Sequence, residues 1–347
     1  MIGIIISSSL IRKARSGKAS PLIQFYIELA EKNKVDICFY SLKDISPATQ
    51  TVKGLVCFQG STSLHRNRVP VPKVNLYRGY SYLAKKNYIR KIEYLRKKHN
   101  IIFFNILSNS DRGKNTIHEI LVSQNEITQY LPETATLTYS QMVKMLDRYG
   151  KLYIKPKRSE KGRNIRVLEK TKDGYTLTYI NKAKETIKNF KHQELKKYYS
   201  STFSRPSKYI VQQAIETKTY KGKKFDFRVF TQKTKSGNWM VTGMYARVAD
   251  KCENVTNHHQ GGWIKVNLKP LISTDTKQGI KKAACKVAKA LELKKPEIID
   301  LGLDLAVDKN ENVWLIEANF RPYRSKVDSR QYRILFEHAV WYYMNQS

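Results

Sequence analysis

Two hydrophobic periods alternate along the first hundred residues. "IGIIIS" is an apolar run that ends in Ser, "PLIQFYIELAEKN" has helical spacing with Pro at its start, and "VDICFY" and "GLVCFQ" are short β-rich runs. In "YSYLAKKNYIRKIEYLRKKHN", Leu83, Ile89, Ile92 and Leu95 roughly follow one helical stripe, and "IIFFN" closes the set. This βαβ rhythm predicts a mostly parallel sheet with helices on its faces.

From residue 113 the pattern changes. "NTIHEILVSQ" reads as a helix, "LPETATLT" as a loop and strand, and "SQMVKMLDRYG" as a helix capped by Ser140 and ended by Gly150. "KLYIKPKRSEKGRNIRVLEK" reads as strand, loop and strand, and the very basic "INKAKETIKNFKHQELKKYYS" as helical. "KYIVQQAIE", "DFRVFTQ" and "WMVTGMYARVA" are further strands, and "GIKKAACKVAKALEL" is a helix. The chain then enters "DLGLDLAVDKNENVWLIEANFRPY", two alternating runs joined by a polar turn. There is no internal repeat and no low-complexity tract.

Composition adds one strong constraint. The 347 residues are 41% apolar, enough for two or three packed lobes, but 64 basic against 29 acidic residues leave a net charge of +35. Self-repulsion of that size destabilises a compact state, so a polyanionic partner is one reading; a lysine-rich proteome or solubility is the other. Eight basic residues with interleaved tyrosines fall between Arg78 and Lys98, opposed only by Glu93. That is compatible with a nucleic acid, but no helix-turn-helix, zinc-finger or RNP pattern accompanies it, and a solvated helix face is the preferred reading. No run approaches the ~18 apolar residues of a membrane span. The apolar start lacks preceding basic residues and a small-residue cleavage pattern, so a first buried strand is expected there and not a signal peptide. Cys38, Cys57, Cys252 and Cys285 show no metal spacing, which favours reduced thiols in a cytoplasmic protein.

Candidate chemistry sits in two places. Lys155 closes an alternating strand, Pro156 stops it, and a polar loop with Ser159, Lys161 and Gly162 follows. A lysine beside such a loop can hold a phosphate by charge and backbone N–H groups. No P-loop and no G-x-G-x-x-G is present. In the closing hairpin, Glu317 and Asn319 are two apart and face one way, and Asp304 lies 13 residues before Glu317 on the strand that the turn brings alongside. Two carboxylates and an amide oxygen are hard ligands suited to Mg²⁺ with nucleotide phosphates; the competing reading is that the surrounding lysines simply pair with the acids.

The order of these segments is more specific than any one of them. Lys155-Pro156 with its loop, "YIVQQAI", "DFRVF", "ARVA", "TNHHQGG", and "GLDLAVD" with "WLIEANFRP" together resemble an ATP-grasp enzyme from about residue 113 to the C-terminus. The resemblance is greatest to the YheC/YheD-type endospore coat-associated family. "FDFRVF" and "NHHQGG" are also similar to segments of ribosomal-protein glutamate ligases and glutathione synthetases. It implies an α/β fold, α+β in its C-terminal part: a Rossmann-like pre-ATP-grasp domain over 1–112, then an ATP-grasp domain over 113–347. The latter would comprise a lysine and lid lobe (113–211) and a metal-binding lobe (212–347), with ATP between them.

The resemblance also implies roles. Lys155 and the upstream Lys114 would hold ATP phosphates, the loop with Ser159, Lys161 and Gly162 would cover them, Gln212, Gln213, Ala214 and Ile215 would form the adenine hinge, and Asp226 would accept ribose hydroxyls. Arg228 and Arg247, with Lys155, would be catalytic cations at the γ-phosphate. Asp304, Glu317 and Asn319 would bind two Mg²⁺ ions, with Mn²⁺ able to substitute. Asn257, His258, Gly261, Gly262 and Arg321 would frame the acceptor, where "NFRPY" lacks the glycine of the usual N-x-P-G ending. The implied activity is an ADP-forming carboxylate–amine ligase acting through an acyl-phosphate on an acidic peptide or polymer, with a link to spore-coat components. An ATP-grasp kinase, or a non-catalytic spore-coat or polyanion-binding protein that keeps ATP binding, are the alternatives.

Overall fold

The computed structural model describes residues 1–78, 86–108, 111–157, 164–181, 184–249, 262–265, 268, 271–320, 322 and 329–345. Three sheets organise them. In the first, Ile2–Ile5 lies between Ile37–Tyr40 and Val74–Tyr77, and Ile102–Phe104 joins the latter, all parallel. These strands are apolar runs because helices cover both faces. Thr51–Cys57 instead runs antiparallel to Ile37–Tyr40, and His65–Pro70 extends that edge. The sheet is therefore less parallel than the rhythm predicts. Only residues 41–50 separate the two strands, fewer than the dozen or so that a crossover needs.

The first core closes with residues from the far end of the chain. Helix Ser329–Met344 places Tyr332, Leu335, Phe336, Ala339 and Val340 against Ile2, Ile4, Ile23 and Tyr26. The Phe336 ring lies 5.8 Å from that of Tyr26. A linear division at residue 112 does not capture this return.

The second sheet is antiparallel, in the order Lys184–Lys191, Gly174–Asn181, Arg166–Lys170, Lys151–Pro156, Tyr209–Gln213, Thr134–Thr136. Helix Tyr139–Tyr149 covers one face with Met142, Met145 and Leu146. Its cap is Thr138, whose Oγ1 accepts from the Gln141 N–H, and not the expected Ser140; Gly150 ends it at φ +69° as expected. Within the segment 180–200, expected to be helical, Ile180, Asn181 and Lys184–Lys191 are strand, and among the described residues only Leu195–Thr202 is α-helix. Strand pairing wins because Tyr175 and Thr178 lie opposite Phe190 and Ile187, and Phe190 stacks on Tyr198 at 5.0 Å.

The third sheet runs Gly262–Lys265, Trp239–Ala249, Lys223–Lys233, Asp300–Val307, Val313–Asn319, again antiparallel. Helix Thr274–Lys294 covers one face, where Phe227, Val229, Ala246, Leu303 and Leu305 meet Ile280, Ala284, Val287 and Leu291. Helix Lys114–Val122 buries Ile117 and Leu121 in this same core, although its position in the chain suggests the lysine lobe. The opposite face carries the polar residues considered below.

The contribution of the returning helix is measurable. Phe336→Ala is expected to destabilise the protein by about 3–5 kcal/mol, as for other buried Phe deletions. Urea denaturation should show the loss, while Ile187→Ala at a 61% exposed position should leave the midpoint nearly unchanged.

Candidate active site

Register brings the polar residues of the third sheet onto one face. Asp226 lies opposite Arg247, Arg228 is flanked by Tyr245 and Asp304, Asp304 lies opposite Glu317, and Gly302 opposite Asn319. Cross-strand partners share a face, so four strands contribute to a single surface. A bulge makes this compatible with the core. Asp304 pairs with Glu317 but the next residue, Leu305, pairs with Leu315, leaving Ile316 extra. Val313 and Leu315 therefore enter the core, while Glu317 and Asn319, at the same sequence parity, face the site.

The side chains on this face form an alternating chain of charge. Arg228 grips Asp304 with two bonds, Nε to Oδ1 at 2.5 Å and Nη2 to Oδ2 at 3.0 Å. Arg247 Nη2 lies 3.1 Å from Asp304 Oδ2, and Arg247 also grips Asp226 at 2.6 and 2.7 Å. Asp304 is 4% exposed, Asp226 7% and Arg247 9%. Burial opposes the charge on Arg247, but Asp304 and Asp226 outweigh it and raise its pKa. Both Asp226 oxygens accept from Arg247, so the carboxylate that the resemblance assigns to ribose is engaged inside the protein.

The second sheet presents Lys155 toward the same region. Lys155 is buried, donates to Gln212 Oε1 at 2.6 Å, and sits 4.9 Å above the centre of the Tyr153 ring. Gln212 is fixed in turn by donating to Thr134 Oγ1 at 2.8 Å. Burial, reinforced by the positive charge of Lys114 and opposed by Glu317, lowers the Lys155 pKa to about 7. Lys114 opens its helix and reaches Glu317, with Nζ 3.7 Å from Oε1. Lys114, Lys155 and Glu317 thus meet between the two sheets. In the expected hinge, Gln213 N–H donates to Glu133 O and Ala214 N–H to Lys151 O, and among the described residues Ile215 N–H makes no hydrogen bond.

The first sheet fastens the acidic hairpin at both strands. Asn105 Nδ2 donates to the carbonyls of Asp300 at 2.6 Å and Phe320 at 2.9 Å, and its Oδ1 accepts from the Ile299 N–H at 3.0 Å. Arg78 adds an ion pair to Asp300 at 3.8 Å. Sequence reading missed Asn105, Arg78, Tyr153 and Thr134. Only Tyr153 carried a local signal, two residues before Lys155 on the same strand face.

Of the other expected site residues, Ser159, Lys161, Gly162, Asn257, His258, Gly261 and Arg321 lie outside the described residues, and Gly262 is described only as the start of its strand. The donor set fits a hard cation. Among the described residues Asp304 Oδ1 accepts only from Arg228, while Oδ2 takes Arg228, Arg247 and, at 3.4 Å, Asn319 Nδ2. Asp304 can therefore offer one lone pair beside Glu317, whose side chain is 40% exposed.

Comparison with known proteins gives the fold and the family. The chain is 27% identical over 241 residues to the endospore coat-associated protein YheD of Bacillus subtilis, an alignment covering 65% of this chain and 53% of YheD. The chain thus spans about half of that relative's length. Among solved structures, the VanG D-Ala:D-Ser ligase of Enterococcus faecalis superposes with a TM-score of 0.53 at 12% identity, covering 98% of this chain and 96% of that one. A RiPP-associated ATP-grasp ligase of Chryseobacterium gregarium, in complex with ADP and a leader and core peptide, gives 0.51 at 11% identity, covering 100% and 96%. These likenesses show the fold. The pattern of the YheC/D-like ATP-grasp family matches residues 100–344, and the chain belongs to that family.

Proposed function

We propose that this protein is an ATP- and Mg²⁺-dependent, ADP-forming carboxylate–amine ligase acting on an acidic peptide or polymer. Membership of the ATP-grasp family carries ATP and Mg²⁺ binding in general. The observation that carries the finer reading is the meeting of Lys114 and Lys155 with Glu317, beside Asp304 and its two arginines. Cations from one side and hard oxygen ligands from the other define a cleft suited to a metal-bound polyphosphate.

In this reading Lys155 and Lys114 bind phosphate oxygens, and Gln212 through Ile215 hold the base, with the Ile215 N–H available to it. Asp304, Glu317 and Asn319 would hold two Mg²⁺ ions, which Mn²⁺ could replace and which would supply neutralisation of charge developing on the transferred phosphoryl group. Arg228 and Arg247 stabilise the γ-phosphate and the acyl-phosphate made from it. Asp226 orients Arg247 in place of a ribose contact. A substrate carboxylate attacks the γ-phosphate and ADP leaves; an amine then displaces phosphate and forms the C–N bond.

The peptide substrate is supported by the net charge of +35 and by the peptide-bound Chryseobacterium gregarium ligase of like fold. Spore-coat association is supported by the name of the Bacillus subtilis relative. No helix among the described residues is long and apolar enough to cross a membrane.

Three outcomes are expected. ATP·Mg²⁺ should raise the melting temperature of wild type, and Glu317→Ala should abolish that shift; equal stabilisation of both proteins contradicts the metal assignment. Incubation with ATP and a spore extract should yield ADP, phosphate and a mass-shifted product, whereas AMP, or a product that gains only a phosphate, contradicts ligation. Finally, phosphate contact should raise the Lys155 pKa from about 7, so binding takes up protons above that pH. Calorimetry at pH 8 in buffers of different ionisation enthalpy should show uptake approaching about one proton per chain. The uptake should fade below pH 7 and vanish in Lys155→Met; no uptake in wild type contradicts the assignment.

A further inference from the structure

A second cluster of cations lies on the N-terminal domain, away from the lysines of the nucleotide cleft. A cavity of about 120 Å³ opens between helix Ser8–Arg15 and the antiparallel edge of the first sheet. Its apolar floor includes Ile11 and Leu55, and Arg12, Arg15, Lys43, Lys53 and Arg66 surround it. Leu55 lies opposite Arg66 in the register, and Lys53 is two residues from Leu55, so strand alternation puts all three on the face that the helix covers.

These five cations outnumber the one carboxylate of the cavity, Asp44. Among the described residues none of their side chains makes an ion pair or a hydrogen bond, although basic residues elsewhere, such as Lys170, Lys233 and Lys295, are paired. The one carboxylate at the cavity, Asp44, accepts from the N–H and the hydroxyl of Ser41 at 3.1 and 2.5 Å. All five side chains are exposed, so water weakens their mutual repulsion, but together they leave a local positive potential that attracts an anion.

The placement suggests what that anion belongs to. The cavity is at the carboxyl edge of the parallel strands, where ligands of open α/β sheets bind. On the same edge the strand Val74–Tyr77 ends at Arg78, which meets Asp300 at the root of the acidic hairpin. Thr51–Cys57, which lines the cavity, is three strand positions from Val74–Tyr77. At ~4.8 Å per strand that is about 14 Å, and Asp304 lies four strand residues, ~13 Å, beyond Asp300, so a peptide that reaches both places needs some eight extended residues. No aromatic side chain lines the cavity to stack a base, and three arginines offer planar forks that match carboxylates.

We propose that this cavity is an anion subsite that holds a side-chain carboxylate of a glutamate- or aspartate-rich peptide while another carboxylate of that peptide occupies the ATP cleft. The assignment rests on the ligase reading for the second half of that statement. The first half is tested separately. Fluorescence anisotropy of labelled octaglutamate at low salt should show binding to wild type. The triple variant Arg12→Gln, Arg15→Gln, Arg66→Gln should weaken it at least ~10-fold and flatten its salt dependence. A control triple of equal charge change, Lys188→Gln, Lys196→Gln, Lys197→Gln, should change it less than ~2-fold. Equal weakening by both triples, or no binding by wild type, overturns the subsite. Tighter binding of octathymidylate with the same sensitivity to the arginine triple assigns the cavity to nucleic acid and overturns the peptide. Stabilisation by ATP·Mg²⁺, measured on the same proteins, should be unaffected by the arginine triple. Its absence from wild type would refute the ligase reading while the anisotropy result still decides the subsite.

Discussion

The Asp304 carboxylate is the point on which the site turns. Buried on a central strand, it is held by Arg228 from one side and by Arg247, itself anchored by Asp226, on the other. Two acids and two arginines in alternation cancel net charge in a region where an unpaired ion would be strongly destabilising. The same arrangement fixes all four side chains at once, because no member can rotate without leaving a buried charge unpaired. Lone-pair geometry then leaves Asp304 Oδ1 as the oxygen that can face a cation, next to the more exposed Glu317.

Around this fixed centre, the elements that meet it come from distant parts of the chain. Lys155 arrives on the second sheet with its charge weakened by burial, Lys114 arrives on a helix that packs in the core of the third sheet, and Asn105 ties both strands of the acidic hairpin to the first sheet. Helix Ser329–Met344 completes the core of that first sheet, so the sheet to which the hairpin is tied is packed by residues far along the chain. The helix that starts at Lys114, a proposed phosphate ligand, and the acidic hairpin thus share one core. The unpaired cations near Arg12 and Arg66 lie on the same edge and extend the positive surface away from the nucleotide cleft.

Much of this was legible in the sequence where local periodicity and chemistry coincide. The strands carrying Lys155, Arg228, Asp304 and Glu317 are visible as alternating runs, and their order gives the family. What was not legible depends on partners far along the chain. The bulge at Ile316, which turns Leu315 inward and Glu317 outward, is invisible to a strict two-residue alternation. Lys184–Lys191 looked helical because its lysines are dense, whereas its pairing with Gly174–Asn181 is decided across the hairpin. Asp226 illustrates the same limit in the site itself, since only the register places Arg247 opposite it and occupies both oxygens.

The most direct test of the central claim is a crystal structure of the protein with ADP and Mg²⁺. The account predicts metal bound by oxygens of Asp304, Glu317 and Asn319, with Lys155 against the phosphates and Arg247 still gripping Asp226. Metal bound away from these three residues, or ADP seated with its phosphates outside the cleft between Lys155 and Glu317, would contradict it.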